Sequence, residues 1–342
     1  MAPKQKNPPV VDLAAEPLAS FDLGNSHVKV KTASESSDFR SILGRLSRAR
    51  RLGDLHTDLV FTFEDETLVF GDEVRDLCDG QPVAFTDRRR YTSGFYRKLA
   101  AAALWRAFRS IACDGVIYPK IVFSIPVMEY ADGVADQVRD LLAGEYRIDG
   151  QNGVTLYAKL EKSNLKGLPE GAGEYFRAVA AGGGLGGLPV AVIDIGYYTT
   201  DLVLFNRGQY VTGAARSLPK GARFVAERVH NWLKRTYKYR GDVYAVDSAL
   251  KDEVIQVGAN CINLREEKGA GYADLLDEII TWYYSSIGDV TPGAVLLGGG
   301  GGEPAFKYVP EELKAEGWRV GGGRRGNVEG AFLYLEKAAN RA

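Results

Sequence analysis

Apolar and polar positions follow two periods along this chain, and the period switches again and again. Every-other-residue alternation marks strands with one buried face. It runs through residues 21–32 as two arms about a turn, and through Leu59-Val-Phe-Thr-Phe63 and Thr67-Leu-Val-Phe70 about the polar turn Glu64-Asp-Glu66. Continuous apolar runs mark strands covered on both faces. These are Lys120-Ile-Val-Phe-Ser-Ile-Pro126, Pro189-Val-Ala-Val-Ile193, Leu202-Val-Leu-Phe205 and Ala294-Val-Leu-Leu297, and residues 152–160 predict one strand more. Helical spacing predicts a helix over 88–112, with Leu99, Ala103, Phe108 and Ile111 on its apolar face. It predicts others over 128–142, 174–181, 221–238, 272–287 and 326–341. Residues 39–51, basic with apolar Ile42, Leu43 and Leu46, read as a loop and a short helix. Glycine-rich 182–187 marks a connection.

Strands and helices alternate, and a hairpin with the same turn recurs halfway. Two related α/β halves follow, each with a smaller inserted unit. The 342 residues suit about two domains at roughly 150 residues each. Hydrophobic content of 45% and charged content of 25% are those of an ordinary globular chain. Its 43 basic and 44 acidic side chains leave a net charge of −1, so no global field draws it to nucleic acid or a membrane. The runs Arg48-Ala-Arg-Arg51 and Arg88-Arg-Arg90 read as solvated faces. Cys78, Cys113 and Cys261 form no CxxC pair, and His27, His56 and His230 are the only histidines. That predicts neither a zinc site nor a disulfide framework, and thiols suit a reducing cytosol. The first 18 residues, with three prolines before Glu16 and no long apolar run, read as a solvated tail. No 18 apolar residues run together, so nothing is expected to span a bilayer.

The chemistry concentrates in the two hairpin turns. Asp22-Leu-Gly-Asn-Ser-His-Val-Lys29 and Asp194-Ile-Gly-Tyr-Tyr-Thr-Thr-Asp201 each place an acid, a glycine two residues on, and a charged residue eighth. In the first, Gly24 permits positive φ and a close approach of backbone to phosphate. Asn25, Ser26 and His27 would present amides, and Lys29 would reach a β- or γ-phosphate as a point charge. Asp22 is placed to hold Mg²⁺ through retained water. In the second, Gly196 repeats the part of Gly24, and Tyr197 and Tyr198 continue the turn. Thr199 and Thr200 add hydroxyl donors, and Asp194 is a second acid for the metal's water shell, delivered to a strand end where open α/β sheets place ligands. Either turn alone also suits a surface hairpin with a turn-forming glycine. Their shared order, spacing and strand context favour a metal-bound polyphosphate pinched from two sides. A third element, Gly298, Gly299, Gly300 and Gly301 after a buried strand, permits close contact with a flat ring or ribose; a flexible linker is the other reading.

Two phosphate hairpins and a late glycine-rich loop, in this order, resemble the superfamily of actin, sugar kinases and DnaK-type chaperone ATPases. More closely, the chain resembles the bacterial actin-like ParM/StbA group of plasmid-segregation proteins. The resemblance is carried by the two turns, Phe123-Ser-Ile-Pro-Val127, Leu168-Pro-Glu-Gly-Ala-Gly173 and Asn327-Val-Glu-Gly330, and spans residues 18–338. The proline-containing N-terminal extension and Phe123-Ser124, where relatives often carry glycine, depart from the pattern. The resemblance implies an α/β, actin-like (ribonuclease H-like) fold of duplicated domains with a nucleotide cleft between them. A tail would cover 1–17. Domain I would cover 18–175, with an insert at 35–87 and the helix 326–342 returning to it, and domain II 176–325, with an insert at 216–269.

The resemblance further implies hydrolysis of ATP or GTP with Mg²⁺, coupled to self-association into filaments in the cytoplasm. A DNA-binding adaptor at a centromere-like site would link filament to plasmid; neither direct nucleic-acid binding nor membrane binding is expected. It places a catalytic carboxylate at Glu170, to orient water in line with the γ-phosphate, with Asp194 second, through metal-bound water. Glu170 equally suits a plain complement to the dipole of the following helix. The competing functions are another bacterial or archaeal cytoskeletal actin, a small-molecule kinase on the same fold, for which no further Asp motif is found, and a chaperone-type nucleotide switch.

Overall fold

A computed structural model describes residues 16–46, 59–78, 83, 88–92, 94–111, 115–182 and 184–341. Most of the N-terminal tail, the basic run 48–51, His56 and Cys113 lie outside the described residues. The chain divides into two compact units. The first takes Met1–Ile125, Asp132–Pro169 and Ala331–Ala342, the second Pro126–Ala131 and Glu170–Gly330.

Among the described residues the first unit holds two sheets. One runs in the order Leu165–Pro169, Lys120–Ile125, Leu18–Leu23, His27–Lys31, Ser36–Arg40. Its first three strands are parallel, and the last two fold back antiparallel. The other has six strands: Leu43–Arg45, Glu66–Phe70, Val60–Phe63, Gly144–Gly150, Thr155–Leu160 and Val116–Ile117. The helix Phe95–Phe108 packs on strands of both sheets. Covered on two sides, it is apolar almost all round: Leu99 and the alanines 100–103 are at most 1% exposed. Arg97 leaves this helix to donate to the carbonyls of Ala143 and Glu145, with its guanidinium 4.4 Å from the Tyr146 ring centroid.

The second unit repeats the first sheet. Its order is Trp318–Val320, Ala294–Gly298, Pro189–Ile195, Thr200–Asn206, Gln209–Tyr210, again three parallel strands followed by antiparallel returns. The duplication expected from the recurring hairpin is therefore a duplication of topology. Its core packs the sheet against the helices Arg223–Tyr237 and Arg265–Ser286, with Val225, Val229, Leu233, Leu275, Leu276 and Ile279 buried. Gly271 sits where a Cβ would lie 2.9 Å from Val225.

Several expectations need correcting. Residues 36–45 form the strands Ser36–Arg40 and Leu43–Arg45 in place of a loop and short helix. The alternation that buries Ser37 and Phe39 wins over the helical spacing of Ile42, Leu43 and Leu46. The helix expected over 128–142 is two, Val127–Ala131 and Val134–Leu142, because Gly133 between them has φ of 78°. The segment 88–112 likewise breaks at Gly94, and Ile111 is exposed in the 3₁₀ turn Arg109–Ile111 rather than on the apolar face. The strand Gly144–Gly150 went unread, although Tyr146 and Ile148 alternate with polar residues. Arg90, read as part of a solvated run, is 3% exposed and donates to Asn25 at 2.5 Å and Tyr91 at 2.6 Å.

Candidate functional site

Each unit builds its hairpin turn in the same way. Asp22 pairs in register with Lys29, and Asp194 with Asp201. A Cβ on Gly24 would lie 3.0 Å from the carbonyl oxygen of His27, and one on Gly196 the same distance from that of Thr199. Neither glycine has positive φ. The positive φ that Gly24 would permit is thus not used: at both glycines a Cβ would press on the carbonyl oxygen three residues on.

The eighth position is where the two turns part. In the first, Lys29 Nζ donates to Asp22 Oδ2 at 2.6 Å, so the turn carries a neutralised pair. Ser41 donates to the Gly24 carbonyl at 2.5 Å, and Ser26 Oγ and His27 Nδ1 lie 2.7 Å apart. In the second, two acids face each other. Thr199 donates to Asp201 Oδ2 at 3.1 Å, while burial, and then the charge of Asp194, push the Asp201 carboxyl up to about 7. Thr200 is fully buried and donates to the Lys220 carbonyl at 2.8 Å. The carbonyls of Gly196 and Tyr197 receive the amides of Ala222 and Arg223, so the turn seats the start of the helix Arg223–Tyr237. A Cβ on Gly221 would lie 2.5 Å from the Gly196 oxygen. Tyr197 and Tyr198 meet edge to face, and Arg223 lies over the Tyr198 ring.

Register brings the glycine-rich loop beside the second turn. Asp194 pairs with Gly298 across parallel strands, and the amide of Gly301 donates to the Ile195 carbonyl at 2.9 Å. The loop, Asp194 and the segment after Trp318–Val320 gather at the carboxyl ends of the parallel strands, the usual ligand end of such sheets.

Glu170 is half-buried in the turn between the strand Leu165–Pro169 and the helix Ala172–Ala180. The next residue, Gly171, has φ of 86°, a true left-handed position. Its amide donates to Asn327 Oδ1 at 2.9 Å, and Asn327 Nδ2 donates to Asp194 Oδ2. One buried asparagine therefore ties the Glu170 turn to Asp194. Sequence reading quoted Asn327 only within a motif and gave it no part.

A second residue was missed. Glu174, one turn into that helix, is 1% exposed. It accepts from the amides of Gly299 at 3.3 Å and Gly322 at 2.5 Å. Burial, and then the charge of Asp194, raise its carboxyl to about 7, against the pull of those amides and of Arg177. The available signal was an acid in the small-residue stretch Gly171-Ala-Gly-Glu174, which no packing face calls for. Among the described residues no cluster of three or more His, Cys, Asp and Glu side chains is placed to hold a metal directly. Asp22 and Asp194 are hard oxygen donors, one in each unit, of the kind Mg²⁺ takes through retained water. No helix of the described residues is long and apolar enough to cross a membrane.

No family model matches the chain, and no curated protein matches its sequence. Solved structures do match in shape. An archaeal actin homologue superposes with a TM-score of 0.77 at 17% identity, over 94% of this chain and 99% of its own, and its structure is also known with ADP. A ParM from Clostridium botulinum, solved as a 15-stranded filament, gives 0.75 at 17% identity over 94% and 99%. A ParM from Bacillus thuringiensis solved with ATP gives 0.67 at 14% identity over 94% and 99%. The chain has the actin-type fold, in the form found in ParM proteins and archaeal actin homologues. At these identities the likeness extends to the fold alone.

Proposed function

We propose that the chain is an actin-like nucleoside triphosphatase that assembles into filaments when nucleotide-bound and loosens after hydrolysis. One observation carries the reading: Asn327 accepts from the amide of Gly171 and donates to Asp194, so the backbone that carries Glu170, a carboxylate suited to orient water, is tied to an acid suited to a metal's water shell. The fold's neighbours include a ParM with ATP and a ParM filament, which supports nucleotide and self-association as the two partners. In the first unit the turn amides of 24–27 would take phosphate oxygens and Asp22 the water of Mg²⁺; in the second, the amides of 196–199 and Asp194 would do the same and 298–301 would take the nucleoside. Mg²⁺, when bound, would neutralise phosphate charge. Glu170 would orient the attacking water and accept its proton. Plasmid segregation through a DNA-binding adaptor, in the cytoplasm, is the setting this reading favours; ATP is the expected nucleotide and GTP the second choice.

Sedimentation and electron microscopy with and without ATP and Mg²⁺ test the assembly. Replacing Glu170 with Ala tests the chemistry: filaments should persist while phosphate release falls by roughly 10²-fold, the usual scale for losing a positioned acid–base group. Wild-type release in E170A would remove Glu170 from the mechanism.

A further inference from the structure

We propose that Glu174 is the positioning residue of the glycine-rich loop, its carboxylate joining that loop to the segment 321–326 and holding both in the form that receives the nucleoside. This rests on the nucleotide reading above. Four glycines close around the side chain. A Cβ on Gly298 would lie 2.6 Å from its Cγ, and Cβ atoms on Gly321 and Gly322 would lie 2.8 and 3.0 Å from Oε2. One on Gly326 would land on the carboxylate itself. The glycine run thus has an internal reason: it makes room for Glu174 on one side, and for Asp194 and Ile195 beside Gly299 and Gly301 on the other. Gly300 alone in the loop has open space, with nothing nearer than the Arg324 side chain at 3.9 Å.

An acid is an expensive way to join two loops if joining is all that is required. Burying a carboxylate is costly unless each oxygen is satisfied, and an apolar side chain would fill the space at less cost. What the carboxylate adds is direction. Two acceptors on one rigid plane fix the amides of Gly299 and Gly322, and with them the path of the backbone between Gly298 and Gly302. Asp194 and Arg177 are the charged groups that act on it, the first opposing its ionisation and the second favouring it. Gln at this position keeps the shape but turns an NH₂ toward one of the two amides, so the loop loses one anchor.

Loss of an anchor that acts on binding, and not on the reacting atoms, raises KM and leaves kcat. At about pH 8, where the carboxyl is ionised, with the full chain and ATP·Mg²⁺, Glu174→Gln should raise KM and the nucleotide Kd about tenfold while kcat stays within roughly threefold. The rise in melting temperature on adding ATP·Mg²⁺ should shrink in parallel. Unchanged KM with a lower melting temperature would mean a merely structural group, and a fall in kcat at constant KM would place Glu174 in the chemistry; either overturns the proposal. Amide hydrogen exchange on the wild type decides the matter even if the variant does not fold. Gly299 and Gly322 should be protected before nucleotide is added, and Gly300, which alone in the loop has open space, only afterwards. Free exchange at Gly299 and Gly322 overturns the positioning role. Failure of the wild type to bind either ATP or GTP would instead sink the nucleotide reading, which the Gly299 and Gly322 protection does not depend on.

Discussion

At the scale of single residues, the second unit keeps two carboxyls, Glu174 and Asp201, that stay protonated to about pH 7. For Glu174 the ordinary value is 4.5, so below that pH it is neutral whether the chain is folded or unfolded, and its contribution to stability is fully present. As pH rises toward 7 the unfolded chain ionises while the folded one resists, and the contribution is lost. The shift corresponds to about 3 kcal/mol. Urea titrations of wild type and Glu174→Gln should therefore diverge between pH about 5 and about 7.5, with the wild type losing stability relative to the variant as pH rises. A constant difference across that window would contradict the raised value. Asp201→Asn removes a buried charge opposite Asp194. It should melt above the wild type at about pH 8 and lose that advantage at about pH 5, below the raised value, where Asp201 is already neutral in the fold. Little of this was legible beforehand. The repeat of Asp22 and Asp194 was visible as spacing, but burial decides that Lys29 neutralises one turn while Asp201 leaves the other acidic, and spacing carries no burial.

At the scale of elements, the hairpins, the buried strands and the helices Arg223–Tyr237 and Gly326–Ala339 were all legible, because their periods run long enough to exclude the alternative. Short segments were not. Ser36–Arg40 and Leu43–Arg45 are too brief for period to outvote composition, and what fixes them is pairing with His27–Lys31 and Glu66–Phe70, a non-local fact. The crossing of Ala172–Ala180 with Gly326–Ala339 was equally hidden. A Cβ on Gly330 would fall on the Gly173 carbonyl, and one on Gly173 on the Asn327 carbonyl, so here backbone meets backbone with no side chain free to yield. Gly330→Ala should cost at least about 3 kcal/mol, at the upper end for overpacking, because neither neighbour can rotate away. Gly213→Ala, with nothing within 4 Å, should stay within about 0.5 kcal/mol. Equal midpoints in urea for the two variants would refute the close crossing. Since Asn327 lies in the same helix start, Gly330→Ala should also loosen the tie between the Glu170 turn and Asp194, and lower phosphate release as well as stability.

At the scale of the whole chain, charge bears on whether the protein could take up DNA directly. With 43 basic and 44 acidic side chains, the long-range field is close to nil. Arg97, Arg177, Lys220, Arg223 and Arg228 each pair with an acid of their own unit. Duplex DNA binding depends on many phosphate contacts that release counterions, and so on a stripe of uncommitted cations. Duplex DNA added to filaments at about 0.15 M salt should therefore remain in the supernatant, and should enter the pellet only when a basic adaptor is supplied. Assembly itself should depend weakly on salt, because copies of a near-neutral chain neither repel nor attract strongly at a distance. The joint experiment is a salt series of sedimentation with ATP·Mg²⁺, with and without DNA. Filament mass that falls steeply with salt, or DNA that pellets without an adaptor, would show that charge runs, and not the packing of apolar and polar surface, govern the contacts of this actin-type fold.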